Sequence, residues 1–233
     1  MKAKIQRLSM MALFAALCYV VLMFIIPMPP MFIHFGNMVL VIAALLIGGV
    51  YGGLSCAVGM TISDLTMGHA DAAPKTFVLK LLIGLIIGAV FSLRREGKFP
   101  KIPLAAVGLA VMAGAAGIFI YCLNVLGPLV YILCIPLFLL GAALFVFSFA
   151  GRKLNPTAGW AYIAAICGLS FNLLGETLYK TVYMMINGSG FTPAVIYGIT
   201  SQASTLINAI IAVTGGVTIY MMIRKPYENI NNY

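Results

Sequence analysis

The few charges of this 233-residue chain stand mostly in short basic clusters between long apolar runs, a pattern that commits the chain to spanning a membrane. Lys2, Lys4 and Arg7 come first, then Arg94, Arg95, Lys98 and Lys101, then Arg152 and Lys153, then Arg224 and Lys225. Hydrophobic residues make up 63% of the chain and charged ones 8%, with a mean hydropathy of +1.09. A soluble domain carries roughly 25% charged residues. In a soluble chain the formal charge of +9 would point to nucleic acid, but here the positive residues flank apolar spans and report orientation instead.

Apolar runs of about 17 residues or more lie near 8–26, 76–93, 103–124, 128–150, 158–186 and 195–223, with an ambiguous stretch at 37–67. Parity resolves the ambiguity. If 37–67 crossed once, the cluster from Arg94 to Lys101 would fall outside; if it crosses twice, hinged at Gly48-Gly49-Val50-Tyr51-Gly52-Gly53, every basic cluster falls on one side. Each half then has about 15 residues, or about 22 Å of helix, short against a hydrocarbon core of about 30 Å. The expected fold is an all-α integral membrane protein, a bundle of about eight transmembrane helices with both termini cytoplasmic. It forms a single transmembrane domain over 1–233 in the cell membrane.

The basic start followed by an apolar run is similar to a secretory signal. However, Ala12, Ala15, Ala16 and Cys18 lie inside the run, and Pro27, Pro29 and Pro30 follow without a small-x-small cleavage site, so a retained first helix is expected. Cys18, Cys56, Cys122, Cys134 and Cys167 are scattered through the spans with neither CxxC nor Cys/His spacing, and read as small apolar core residues.

The motifs narrow the function further. No GxxxxGK[ST] is present to cradle nucleotide phosphates, so the chain does not itself use ATP by that route. His34 and His69 belong to no HExxH, and Ser170 and Ser201 have no neighbouring acid and base series. The expectation is a protein that is not an enzyme and carries no cofactor or metal.

Asp64, Lys80, Glu176 and Lys180 fall inside or near the ends of spans, where a charge costs about 2.5–3.5 kcal/mol at the helix centre on insertion scales. The expected topology puts all four in the extracellular half. The loop Met28 to Asn37, with His34 and Asn37, lies on the same side, as does the loop Gly68 to Lys75, with His69 and Asp71. Polar groups converging on one side of an apolar bundle describe an outward-facing pocket for a small, partly polar ligand. A proton relay would need ionisable groups in the inner half as well, which carries almost none. Ion pairs that merely hold the bundle together stay open as the alternative, with Lys180 the strongest case because it can snorkel to the interface. On the first helix, Ala12 and Ala16 share a face at i, i+4, and small residues at that spacing let another helix approach closely.

Taken in order, these elements resemble the substrate-binding, or S, component of energy-coupling factor (ECF) vitamin transporters. Ala12-Leu-Phe-Ala-Ala16 resembles the AxxxA surface of the first helix, and Ile33-His34-Phe35-Gly36-Asn37 an outer loop that often reads HxGD. Leu45 to Gly53, followed by Gly59 and Asp64, is similar to the glycine-rich turn between helices two and three. Ala73-Pro74-Lys75-Thr76-Phe77 with Lys80 resembles an APxTFxxK start to the fourth helix, and Gly175 to Tyr179 and Gly198 to Asn208 resemble the last two helices. The resemblance covers about 1–95 and 165–223, so the hairpin at about 103–150 is surplus to a six-helix core. Asn37 also departs from it, standing where many members have Asp.

The resemblance implies a subunit that captures a vitamin or precursor outside at high affinity. A separate transmembrane coupling protein and two cytosolic ATPase subunits then drive release, the S component toppling in the membrane with the Ala12/Ala16 face docked to the coupling protein. The candidate binding residues are His34, Asn37, Asp71, Phe77, Lys80, Asn172, Glu176 and Tyr179. Lys80 and His34 suit a carboxylate, phosphate or ring acceptor, Glu176 a ring N–H or amine, and Phe77 and Tyr179 a stacked heteroaromatic ring. Flat heterocycles of riboflavin, pyridoxine or pyrimidine type all fit. A stand-alone secondary transporter of a small organic solute is the alternative, although it would usually show two similar halves with interrupted helices, and only the Gly48 to Gly53 region is obviously broken.

Overall fold

A computed structural model describes residues 2–28, 31–94, 98, 104–126, 134, 137–138, 141–142, 144–146, 148–149 and 155–231. Its helices are α1 (Lys2–Leu22), α2 (Gly36–Leu46), α3 (Gly49–Thr66), α4 (Ala73–Ser92), α5 (Leu104–Leu126), α6 (Pro156–Ile186), α7 (Phe191–Thr200) and α8 (Gln202–Asn231). The described residues between 134 and 149 are also helical. Among the described residues, four helical stretches are long and apolar enough to cross a membrane: Lys4–Leu22, Ala73–Ser92, Pro156–Ile186 and Phe191–Tyr227. The all-α membrane class therefore holds. Arg95, Lys101, Arg152, Lys153, Pro29 and Pro30 lie outside the described residues.

Two short strands, β1 (Ile26–Met28) and β2 (Met31–Ile33), pair antiparallel between α1 and α2, where only a loop is expected from sequence. Pro27 stands opposite Phe32. Proline has no N–H to give a ladder, so Pro27 and Phe32 form a non-hydrogen-bonded pair and the Phe32 carbonyl faces the outer edge of β2.

The 37–67 stretch is two helices, as parity demands, but the break is narrower than the glycine run. It falls at Ile47 and Gly48, where Gly48 takes φ 92°. Only glycine adopts that conformation without strain. Gly49, Gly52 and Gly53 lie inside α3 and serve packing instead. A Cβ on Gly53 would meet the Leu81 carbonyl oxygen at 3.0 Å and Gly84 Cα at 3.1 Å, and one on Gly84 or Gly88 would collide with the α3 backbone at Gly53 or Gly49. Backbone therefore lies on backbone along the α3–α4 seam, and α2 meets α3 in the same way at Gly52 against Ala43. The run at 195–223 is divided too, α7 ending at Thr200 and α8 starting at Gln202.

The chain gathers into two compact units. The first comprises Met1–Arg94, Trp160–Glu176 and Ala203–Tyr233, and the second Arg95–Gly159 and Thr177–Gln202. In the first, Leu40, Val41, Cys18, Cys56, Ile83, Ile87, Leu169 and Val217 are almost wholly buried and make the core. The α6 portion lies along α4, with Gly168 against Ile87 and Gly175 against Leu79, and α8 lies along α2, with Gly215 against Met38 and Gly216 against Val41. Following the chain through these contacts puts Arg7, Tyr51, Arg94 and Tyr220 toward one end of the unit and the β-hairpin, Lys80 and Asn172 toward the other. Within the second unit, α5 meets the described 134–149 residues at Gly108 and Gly141, and α7 meets the last turns of α6 where Gly198 faces Thr181.

Candidate functional site

Helix α4 opens with Pro74 in its first turn, where a missing N–H costs nothing. Two turns in, Lys80 is only 5% exposed. Its Nζ donates to Asn37 Oδ1 at 3.0 Å and to Asn172 Oδ1 at 2.9 Å. Asn37 and Asn172 are each 1% exposed, so the ammonium sits in a closed amide cage drawn from α2 and α6. An ammonium carries three donors. Two are spent on neutral amides, and no carboxylate of the described residues reaches ion-pair distance of Lys80. A buried cation left without a counter-ion is costly, and its third donor is available to an acceptor that enters beside it.

Nearer the hairpin end, Lys75 Nζ donates to both carboxylate oxygens of Glu176, at 2.9 and 3.2 Å. Asn172 and Glu176 are one turn apart on α6, and Lys75 and Lys80 lie five residues apart on α4. The two helices are thus joined by an ion pair above and a charge-to-amide contact below.

His34 follows β2 directly. Its Nδ1 accepts from the Gly36 N–H at 3.1 Å, so the neutral ring carries its proton on Nε2 and offers a donor there. Burial, and then the Lys80 charge, push the imidazole down to about 3, which keeps it neutral at any ordinary pH. The His34 N–H donates to Asn208 Oδ1 at 2.9 Å, and Asn208 Nδ2 donates to the Phe32 carbonyl at 3.2 Å.

Of the residues singled out from sequence, His34, Asn37, Lys80, Asn172 and Glu176 are brought to this one end of the first unit. Asp71 is exposed in the turn between α3 and α4, a turn made by Gly68 at φ 83° with the His69 N–H returning to the Asp64 carbonyl. Phe77 is half-buried on α4. Tyr179 belongs to the second unit, where it stacks on Tyr183 with centroids 5.9 Å apart, and Lys180 is buried in that unit as well. Ala12 and Ala16 are exposed on α1, whereas Ala15 faces Gly59 of α3. Sequence reasoning missed Lys75 and Asn208. Lys75 could have been found as a cation near the start of α4 that carries the matching charge for Glu176, and Asn208 as an amide in a long apolar run. Among the described residues no group of three or more His, Cys, Asp or Glu could hold a metal ion.

The site has one cation with a spare donor, two amides, an imidazole donor and one carboxylate already paired. That set suits a neutral or acceptor-rich organic ligand. The model of the family described as "ECF-type riboflavin transporter, S component" matches residues 2–144. The chain belongs to this family. No curated protein and no solved structure matches it. As an ECF S component it is a membrane-integral, vitamin-binding subunit of a transporter, from a family of transport subunits and not of enzymes. S components work with a small vitamin substrate and with an ECF module of coupling protein and ATPases. The matched stretch contains His34, Asn37 and Lys80 and runs through α5; Asn172, Glu176 and Asn208 lie beyond it.

Proposed function

We propose that this S component captures riboflavin, or a flat heterocycle of the same kind, from outside the cell and hands it to a coupling protein driven by two cytosolic ATPases. The buried Lys80, held by two amides and, among the described residues, by no carboxylate, is the observation that carries this reading. A flavin edge presents carbonyl acceptors and a ring N–H, which Lys80, the Asn37 and Asn172 carboxamides and the His34 Nε2–H can meet, with the half-buried Phe77 of α4 the candidate for the ring face. The riboflavin description of the matching family supports the same ligand.

Sidedness follows from charge. Lys4, Arg7, Arg94, Arg224 and Lys225 lie toward the end of the first unit opposite Lys80, and the positive-inside rule puts that end in the cytoplasm. The exposed Ala12/Ala16 face of α1 is the docking surface for the coupling protein.

Native mass spectrometry of the full chain released gently from detergent, followed by titration of riboflavin fluorescence, tests the ligand. One flavin per chain is the expected result. An empty protein that also ignores riboflavin, pyridoxine and pyrimidine compounds, yet moves a solute under an ion gradient, would establish the secondary transporter instead. For the docking face, Ala12→Leu with Ala16→Leu is expected to spare binding and abolish uptake; lost binding would refute that assignment.

A further inference from the structure

We infer that Asn208 is a positioning residue that latches the 32–37 segment onto α8 and so sets Asn37 against Lys80, a step that rests on the reading of the Lys80 end as the flavin site. The argument begins with Pro27. Because Pro27 pairs with Phe32 and has no N–H, that pair is the non-hydrogen-bonded kind, and the Phe32 carbonyl points away from β1. The Phe32 C=O and the His34 N–H, two residues on, lie on the same edge of an extended strand, and that edge has no further strand to cover it among the described residues.

Asn208 supplies the missing partner. Its carboxamide accepts from the His34 N–H at 2.9 Å and donates to the Phe32 C=O at 3.2 Å, the same exchange that a neighbouring strand would make. The side chain is only 4% exposed, so water cannot readily take over either bond. A buried amide in a membrane helix is costly unless both its polar atoms are satisfied. Here both go to the backbone of one short segment 174 and 176 residues away in sequence.

From that anchor the path to the site is short. His34 turns its Nδ1 onto the Gly36 N–H, and the next residue, Asn37, places its Oδ1 on Lys80. The segment is thus tied to α8 at one end and to α4 and α6 at the other. With the first tie cut, Asn37 would sample positions away from Lys80.

Two measurements on the full chain in nanodiscs test this. In ligand-free protein, Asn208→Leu is expected to raise hydrogen exchange in peptides covering 31–37 while the α3 and α4 amides, on the glycine seam, keep wild-type protection. With riboflavin as the probe, the same variant is expected to release ligand about tenfold faster, the effect of one to two net hydrogen bonds. Asn208→Asp keeps the acceptor for the His34 N–H and loses the donor to Phe32, so it is expected to fall between the two and carries the test if the Leu variant does not fold. Unchanged exchange over 31–37 in both variants would overturn the latch. Raised exchange with an unchanged release rate would overturn the positioning role. If the wild-type protein takes no riboflavin, the flavin reading fails by itself, and the exchange comparison still decides whether Asn208 latches the segment.

Discussion

The two ends of the first unit each gather cations against aromatic or amide partners, yet they treat those cations in opposite ways. At the hairpin end Lys80 is buried and its hydrogen bonds go to two buried amides. At the other end Arg7 is exposed and lies over the Tyr51 ring at 5.6 Å, and Arg94 lies over Phe91 at 4.3 Å. A cavity of about 530 Å³, lined by Gln6, Arg7, residues 46–51 and Tyr227, also opens at that second end. Size alone would favour that cavity as a binding site. Desolvation decides otherwise: an exposed cation is already solvated and gains little from a ligand, whereas a buried ammonium with a spare donor gains a charge-assisted hydrogen bond. On the proposed reading, the exposed cations at helix ends report orientation and the buried one meets the ligand.

The sharpest way to break this contrast is to remove one cation from each end. Lys80→Met keeps the side-chain length and is expected to lower riboflavin affinity by about a hundredfold, since hydrogen bonds to charged groups are worth up to about 3 kcal/mol. Arg7→Met is expected to leave affinity within about twofold, as an exposed cation–π contact is worth only about 0.5–1 kcal/mol to begin with. Isothermal titration on both variants checks the pair. Comparable losses at the two ends, or no loss at Lys80, would remove the cage from the site.

A smaller effect is expected from the ion pair above the cage. Lys75 and Glu176 have side chains 19% and 11% exposed, so water screens them more than it screens Lys80. Lys75→Met and Glu176→Gln are each expected to weaken binding by about three- to tenfold, and the double variant by less than the product, because partners in contact couple by about 0.5–3 kcal/mol. The double-mutant cycle on the riboflavin dissociation constant reads this coupling. Strictly multiplicative losses would mean that Glu176 meets the ligand independently of Lys75.

How much of this was legible in the sequence depends on the range of the interaction. The membrane class, the division of 37–67 into two helices and the candidacy of Lys80, Asn37, Asn172 and Glu176 follow from the placement and cost of charge and amide groups in apolar runs, which any window of sequence displays. The partnership of Lys75 with Glu176 spans 101 residues and that of Asn208 with His34 spans 174, and no local pattern encodes either. The glycine run was read as a hinge because glycine permits one. Only Gly48 uses that freedom; Gly49 and Gly53 use the absence of a Cβ, a property that becomes visible only when α4 lies against them. The strands at Ile26–Met28 and Met31–Ile33 were hidden by the prolines around them. Tyr179, three residues beyond Glu176, belongs to the second unit.

The gentlest test concerns His34, which links the strand to the cage. Its imidazole has a pKa of about 3 against the ordinary 6.5, lowered first by burial and then by Lys80, with Lys75 adding and Glu176 opposing. Below pH 6.5 the unfolded chain therefore takes up a proton that the folded protein refuses, and stability is lost as pH falls from 6.5 toward 3; above 6.5 the contribution is fully present. His34→Asn offers an amide oxygen in place of Nδ1 and has no group to titrate there. Melting curves of the ligand-free proteins at pH 7.5 and pH 4.5 are expected to show the wild type losing a few degrees more than the variant. Parallel losses would mean that water reaches the ring, and the hairpin end would then resemble the exposed end after all.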